Sequence, residues 1–120
     1  NVELDKIRIL MRDFLDYFSD EKFDCIVMGE VLEHLEGPVI ALKKIYDLLE
    51  KEGSVFITTA INAPTVDHIY LFSSVQDVLD MVESVGFKVV DCLCVVAGNV
   101  SIQKAEKQKR TINIALVLNK

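Results

Sequence analysis

Glu30, Glu33 and His34 stand at positions i, i+3 and i+4 directly after an apolar run. One helical turn there would project two carboxylates and an imidazole from the same face. Oxygen-plus-nitrogen ligation of this kind suits Mg²⁺, Mn²⁺ or another borderline divalent ion, and His68, in a later loop, offers a further ligand. The same imidazoles titrate near neutrality, so His34 or His68 can instead serve as a general base. A structural reading stands beside both: Glu33 solvates a helix start while His34 caps or packs. Asp13 can hold its own turn through nearby backbone N–H groups or accept from a ligand amino group. Phe14, Tyr17 and Phe18 read as core before they read as a stacking platform. Cys92 and Cys94 share a strand face, and with no positive charge near them they are expected to be buried and inert.

The elements that must position these residues follow from periodicity and punctuation. Residues 6–11 read as a short strand ending at Arg12 and Asp13, and residues 23–28, nearly all apolar, as a central strand covered on both faces. Gly37-Pro38 opens a helix, because proline at its first position loses no intrahelical bond. Ala41, Leu42, Ile45, Leu48 and Leu49 form its apolar stripe, and Gly53 is expected to end it. Residues 55–59 form a strand that Asn62-Ala63-Pro64 breaks into a loop through Val66-Asp67-His68. Ser73 with Gln76 makes a capping box for a helix that Gly86 stops. A strand over 87–97, a polar connector over 98–110 and a strand over 111–118 complete the chain, the two strands forming an antiparallel pair. The order β, β, α, β, α, β, β predicts a mostly parallel α/β sheet closed by that pair. Ligands in such sheets bind at the carboxyl ends of the parallel strands, here residues 12–15, 28–35 and 60–68.

The composition narrows the function classes. A chain of 120 residues, 51% of them hydrophobic, predicts one domain over residues 1–120 and excludes disorder. Thirteen Lys and Arg against 19 Asp and Glu give a net charge of −6, which argues against nucleic acid as a partner. The basic residues between Gln103 and Arg110 read as a solvated loop. Three cysteines, odd in number and set in apolar runs, fit a reducing cytoplasm better than a secreted disulfide framework. The longest uncharged stretch, residues 92–102, is far short of the roughly 20 apolar residues that span a bilayer.

Arg12-Asp13-Phe14-Leu15-Asp16, the run Lys22-Phe23-Asp24-Cys25-Ile26-Val27-Met28-Gly29-Glu30-Val31-Leu32-Glu33-His34-Leu35, and Leu48-Leu49-Glu50-Lys51-Glu52-Gly53 through Ile57 resemble the later motifs of class I S-adenosylmethionine-dependent methyltransferases. The resemblance covers essentially the whole chain. It implies a partial Rossmann-like sheet, S-adenosylmethionine as cofactor, and methyl transfer to an acceptor. It places Asp13 at the adenine amino group, Phe14 beside the ring, and Met28, Gly29 and Glu30 at the methionine and sulfonium end. The E-x-x-E-H pattern is similar to that of ubiquinone-pathway O-methyltransferases and small-RNA 3′-terminal 2′-O-methyltransferases, where these side chains hold a divalent ion. That implies Glu30, Glu33, His34 and His68 as ligands, and His34 or His68 as the base. Apolar Val66, Ile69, Tyr70, Leu71 and Phe72, together with the acidic charge, point to a small-molecule acceptor with a hydrophobic part, and the resemblance implies transfer to its oxygen or nitrogen.

The chain departs from the family at its first motif. Glycines occur only at 29, 37, 53, 86 and 98, and no G-x-G is present. It is therefore expected to be the carboxyl-terminal part of the fold, truncated or degenerate, with poor cofactor affinity by itself. The alternative is a noncatalytic binding or dimerisation module on the same scaffold. Without the strands that would precede it, the strand over residues 25–28 is expected to lack a neighbour on one side. Either residues 6–11 cover that edge or two chains pair across it as a homodimer.

Overall fold

The computed structural model describes residues 6–120. After a 3-10 turn at Phe14–Asp16 come β1 (Phe23–Gly29), a 3-10 turn at Leu32–His34, α1 (Pro38–Leu48), β2 (Leu49–Ile61), α2 (Val75–Val85), β3 (Lys88–Val96), α3 (Ile102–Lys107) and β4 (Ile112–Asn119). The strands lie in the order β1-β2-β4-β3. β1 runs parallel to β2, and β4 is antiparallel to both β2 and β3. The last strand of the chain thus sits inside the sheet, and β1 and β3 are its edges.

The apolar stripe of α1 packs inward as its spacing requires: Ala41, Leu42 and Ile45 are fully buried. α2 contributes Val78 and Val82, and the facing sheet positions Val55, Ile57, Ile61, Ile112, Ile114, Leu116 and Leu118 complete the core. Each such side chain stabilises the fold by about 1.5–3 kcal/mol relative to exposure. α1 ends at Leu48 rather than at Gly53, since Leu49 is already extended and begins β2. Gly53 instead serves a bulge inside β2, where pairing jumps from Phe23↔Leu49 to Cys25↔Ser54. A Cβ at Gly53 would come within 2.7 Å of the Leu49 side chain. The cap of α2 is Ser74, which accepts from the Asp77 N–H, one residue later than expected; Ser73 bonds the Asp77 carboxylate. Gly86 closes α2 at φ +118°, the left-handed conformation that favours glycine.

Three further expectations are corrected. Residues 6–11 form no strand, and Ile9 and Met11 point into solvent at 87% and 101% exposure. β1 is therefore an edge rather than a central strand, with Val27 69% exposed. The connector over 98–110 contains α3, capped by Ser101, whose hydroxyl accepts from the Lys104 N–H, and anchored by fully buried Ala105. Its Lys and Gln residues are good helix formers, which a reading of polarity alone discounts. Among the described residues helices cover one sheet face; on the other, Val27 pairs with Phe56, and Leu93 and Val95 stand exposed at 64% and 56%.

Candidate functional site

Both parallel strands that end beside the candidate residues finish on a left-handed, non-glycine residue: Glu30 at φ +51° after β1 and Asn62 at φ +52° after β2. Such backbone is costly for side chains with a Cβ and concentrates at functional sites. Each kink is held by hydrogen bonds. The Glu30 N–H donates to the Thr58 carbonyl at 2.9 Å, with the Thr58 hydroxyl also at 3.2 Å. The Asn62 N–H donates to the Phe72 carbonyl at 2.9 Å, and its side-chain amide to Ser73.

The turn Leu32–His34 follows, and Glu33 faces inward, 1% exposed. Its backbone carbonyl accepts N–H groups from Ile69 and Tyr70 at 2.8 and 3.0 Å. That clamp draws the 62–71 loop onto the turn and carries His68 to it. One ligand atom from each of Glu33, His34 and His68 then lies within 4.8 Å of the others. The two imidazoles meet edge-on with ring centres 4.8 Å apart. His34 Nδ1 lies 2.8 Å from the Asp67 carbonyl, and His68 Nδ1 lies 2.5 Å from the Ala63 carbonyl. A carbonyl can only accept, so Nδ1 carries a proton in both rings, and in the neutral form of each ring Nε2 keeps a lone pair that can bind a cation or a proton.

The Thr59 hydroxyl donates to Glu33 Oε2 at 2.8 Å, while buried Oε1 has no partner among the described residues. A residue with an unpartnered buried carboxylate oxygen, converging with two imidazoles, offers a donor set that fits a divalent cation or a shared proton. Glu30 lies against Glu33 but is not among the three converging ligands. The Glu30 carboxyl is held above its ordinary value, first by its hydrogen bond with Glu33 and then by burial, against a lowering contact with Thr58. Burial pushes Glu33 up, but hydrogen bonds from Glu30, its own backbone N–H and Thr59, with the charge of His34, bring it below its ordinary value. The two directions oppose each other, so of the pair Glu30 is the carboxyl that releases its proton later as pH rises. Asp67, beside His34, is lowered chiefly by the Thr65 hydroxyl.

The remaining candidates lie on neighbouring pieces. Met28 is buried at the end of β1, and Gly29 is exposed beside it. A Cβ at Gly29 would meet Thr58 Oγ1 only at 3.5 Å, an ordinary contact, so the chain's own packing does not demand glycine there. The smallness leaves room for a ligand to approach the backbone. Asp13 caps its own turn, Oδ1 accepting from the Leu15 N–H at 2.8 Å, and no hydrogen bond joins it to the Glu33 cluster. Phe14 is half-buried, packs against the core and lines a groove of about 550 Å³ along β1, with Arg8, Arg12, Cys25 and Val27. Thr58, Thr59 and Asp67, which hold the cluster together, were missed by spacing. Their one sequence signal, a Thr-Thr pair at a strand end, reads equally as strand propensity.

A family described as a methyltransferase domain matches residues 4–92. The ubiquinone biosynthesis O-methyltransferase of Glaesserella parasuis serovar 5 is 34% identical over 77 residues, 62% of this chain and 32% of that protein. The (S)-coclaurine N-methyltransferase of Papaver somniferum is 30% identical over 56 residues, 47% of this chain and 16% of that protein. The chain thus spans a third or less of these curated relatives. Among solved structures, the O-methyltransferase from a trans-AT PKS multienzyme of Brevibacillus brevis, in complex with S-adenosyl-L-homocysteine, matches with a TM-score of 0.71 at 14% identity. That match covers 94% of this chain and 49% of that one. The [4+2]-cyclase SpnF matches at 0.69 and 14% identity, over 91% and 54%. These likenesses show the fold, and the second shows that the fold alone does not prescribe methyl transfer.

Proposed function

The chain belongs to the methyltransferase domain family, and from that premise we propose that it supplies the carboxyl-terminal part of an S-adenosylmethionine-dependent methyltransferase acting on oxygen or nitrogen of a small molecule. The observation that carries this reading is the convergence of Glu33, His34 and His68 beside the carboxyl end of β1. S-adenosylmethionine, when bound, supplies a methyl group activated on a positively charged sulfur. In this reading Asp13 and Phe14 hold the adenine, and Met28, Gly29 and Glu30 line the methionine and sulfonium end. His34 or His68 takes the acceptor proton at Nε2, the lone pair left by the hydrogen bonds at Nδ1. Glu33, His34 and His68, with Glu30 beside them but outside the converging set, would hold a divalent ion such as Mg²⁺, which would lower the pKa of an acceptor hydroxyl. Exposed Val66, Ile69 and Leu71 on the clamped loop suit an acceptor with an apolar part.

No described helix is long and apolar enough to cross a membrane, and the acidic charge supports a small acceptor over nucleic acid. We place the protein in the cytoplasm on its cysteine content. The absent glycine-rich motif predicts weak cofactor binding by these residues alone. Calorimetric titration of S-adenosylmethionine and of Mg²⁺, into the wild type, His34→Ala and His68→Ala, tests the reading. Heat from either ligand that falls at least tenfold in affinity in the variants is the expected result; no heat from either ligand overturns it. In that event the rival reading, a noncatalytic dimerisation module, stands on the open β1 edge. Light scattering tests the proposed homodimer: a dimer that Val27→Lys dissociates supports pairing through β1, and a monomeric wild type excludes it.

A further inference from the structure

β3 forms the edge of the sheet opposite β1, and two thiols stand side by side on it. Cys92 and Cys94 pair with Leu116 and Ile114 of β4, which fixes both side chains on one face with Sγ atoms 3.9 Å apart. Contrary to the expectation from sequence, Cys92 is exposed and Cys94 only half-buried. We infer that the pair chelates one soft metal ion, of the Zn²⁺, Cd²⁺ or Cu⁺ class, through both sulfurs. Two sulfurs about 2.3 Å from a tetrahedral ion lie about 3.8 Å apart. The strand therefore already holds the thiols at the bite of such an ion, and thiolate is the ligand these ions select.

A disulfide is the competing fate, and the ladder opposes it. Residues i and i+2 of a strand lie about 6.4–6.8 Å apart at Cα, the upper limit for a bridged pair, so closing the bond would strain the pairing of β3 with β4. The Cys94 thiol is pushed up to about 11 by burial, then by Cys92 and by the charge of Glu106. A thiol held protonated is a poor nucleophile toward oxidants, and an ion that binds must displace the same proton. Binding of a divalent ion replaces two S–H protons with two metal–sulfur bonds and releases both protons, with no change of oxidation state; water completes the coordination.

Titration of the full chain with Cd²⁺, followed by the ultraviolet sulfur-to-cadmium absorption, tests this, because Glu33, His34 and His68 cannot generate that band. The expected result is a band that saturates at one ion per chain, disappears in Cys92→Ser and in Cys94→Ser, and persists in Cys25→Ser. The exposed Cys92 position tolerates serine, and an unchanged urea midpoint verifies folding. Absence of the band in the wild type, its survival in both serine variants at β3, its loss in Cys25→Ser, or saturation at one ion per two chains would overturn the inference.

Discussion

Glu33 concentrates the residue-scale argument. A carboxylate 1% exposed needs donors, and the Thr59 hydroxyl is the neighbour that supplies one to Oε2. Thr59→Val keeps the shape and removes that donor, so it is expected to destabilise the fold by about 1–3 kcal/mol, read from the urea midpoint. The Glu30–Glu33 pair also sets a pH dependence in metal-free buffer. Glu33, lowered in the fold, contributes stability that is present above its unfolded value near 4.5 and is lost as pH falls through the lower folded value. Glu30, raised in the fold, contributes stability that is present below 4.5 and is lost as pH rises through its higher folded value. Between pH 4.5 and 7 the wild type should therefore lose stability relative to Glu30→Gln, which midpoints at the two pH values will measure. The spacing of Glu33 and His34 was legible from sequence. That Glu33 turns inward was not, because its burial depends on Thr59 and on a loop some thirty residues away that donates to its carbonyl.

At the scale of elements, the two long helices follow from local physics. The 3.6-residue stripe of α1 and the serine cap and glycine stop of α2 are signals contained within a dozen residues. Ser74→Ala should cost about 1 kcal/mol through loss of its cap. Gly86→Ala should cost about 1–2 kcal/mol, because φ is +118° and an added Cβ would also meet the Tyr46 ring at 3.2 Å. Thermal melts of both variants, at unchanged helix content, check these values. The elements that sequence misplaced depend on distant partners. Residues 6–11 have strand-like composition, yet they make no ladder with β1, so the pattern yields no strand. α3 has six residues and one buried side chain, too little periodicity to announce itself. Gly53 looked like a helix stop because it follows a helix; its role lies in a bulge whose existence depends on the β1 pairing.

At the scale of the whole molecule, one face of the sheet is layered and the other is not. Its radius of gyration, 15.5 Å, exceeds the roughly 13.6 Å of a compact chain of this length. Helices cover one sheet face, and Val27, Phe56, Leu93 and Val95 leave the other apolar and open, which fits a chain spanning about half of its structural relatives. Deleting residues 112–120 should abolish cooperative unfolding in circular dichroism, since β2 and β3 meet only through β4. That arrangement also bears on how the protein is made. A ribosome delivers β4 after β1, β2 and β3, so the earlier strands must wait as one β1–β2 ladder and an unpaired β3, unable to close the sheet until residues 112–119 have emerged. Lys120 itself then joins in, donating from its backbone to Gly53 and from its side chain to Leu49. A chain broken off before residue 112 would lack its central seam and be a natural substrate for proteases.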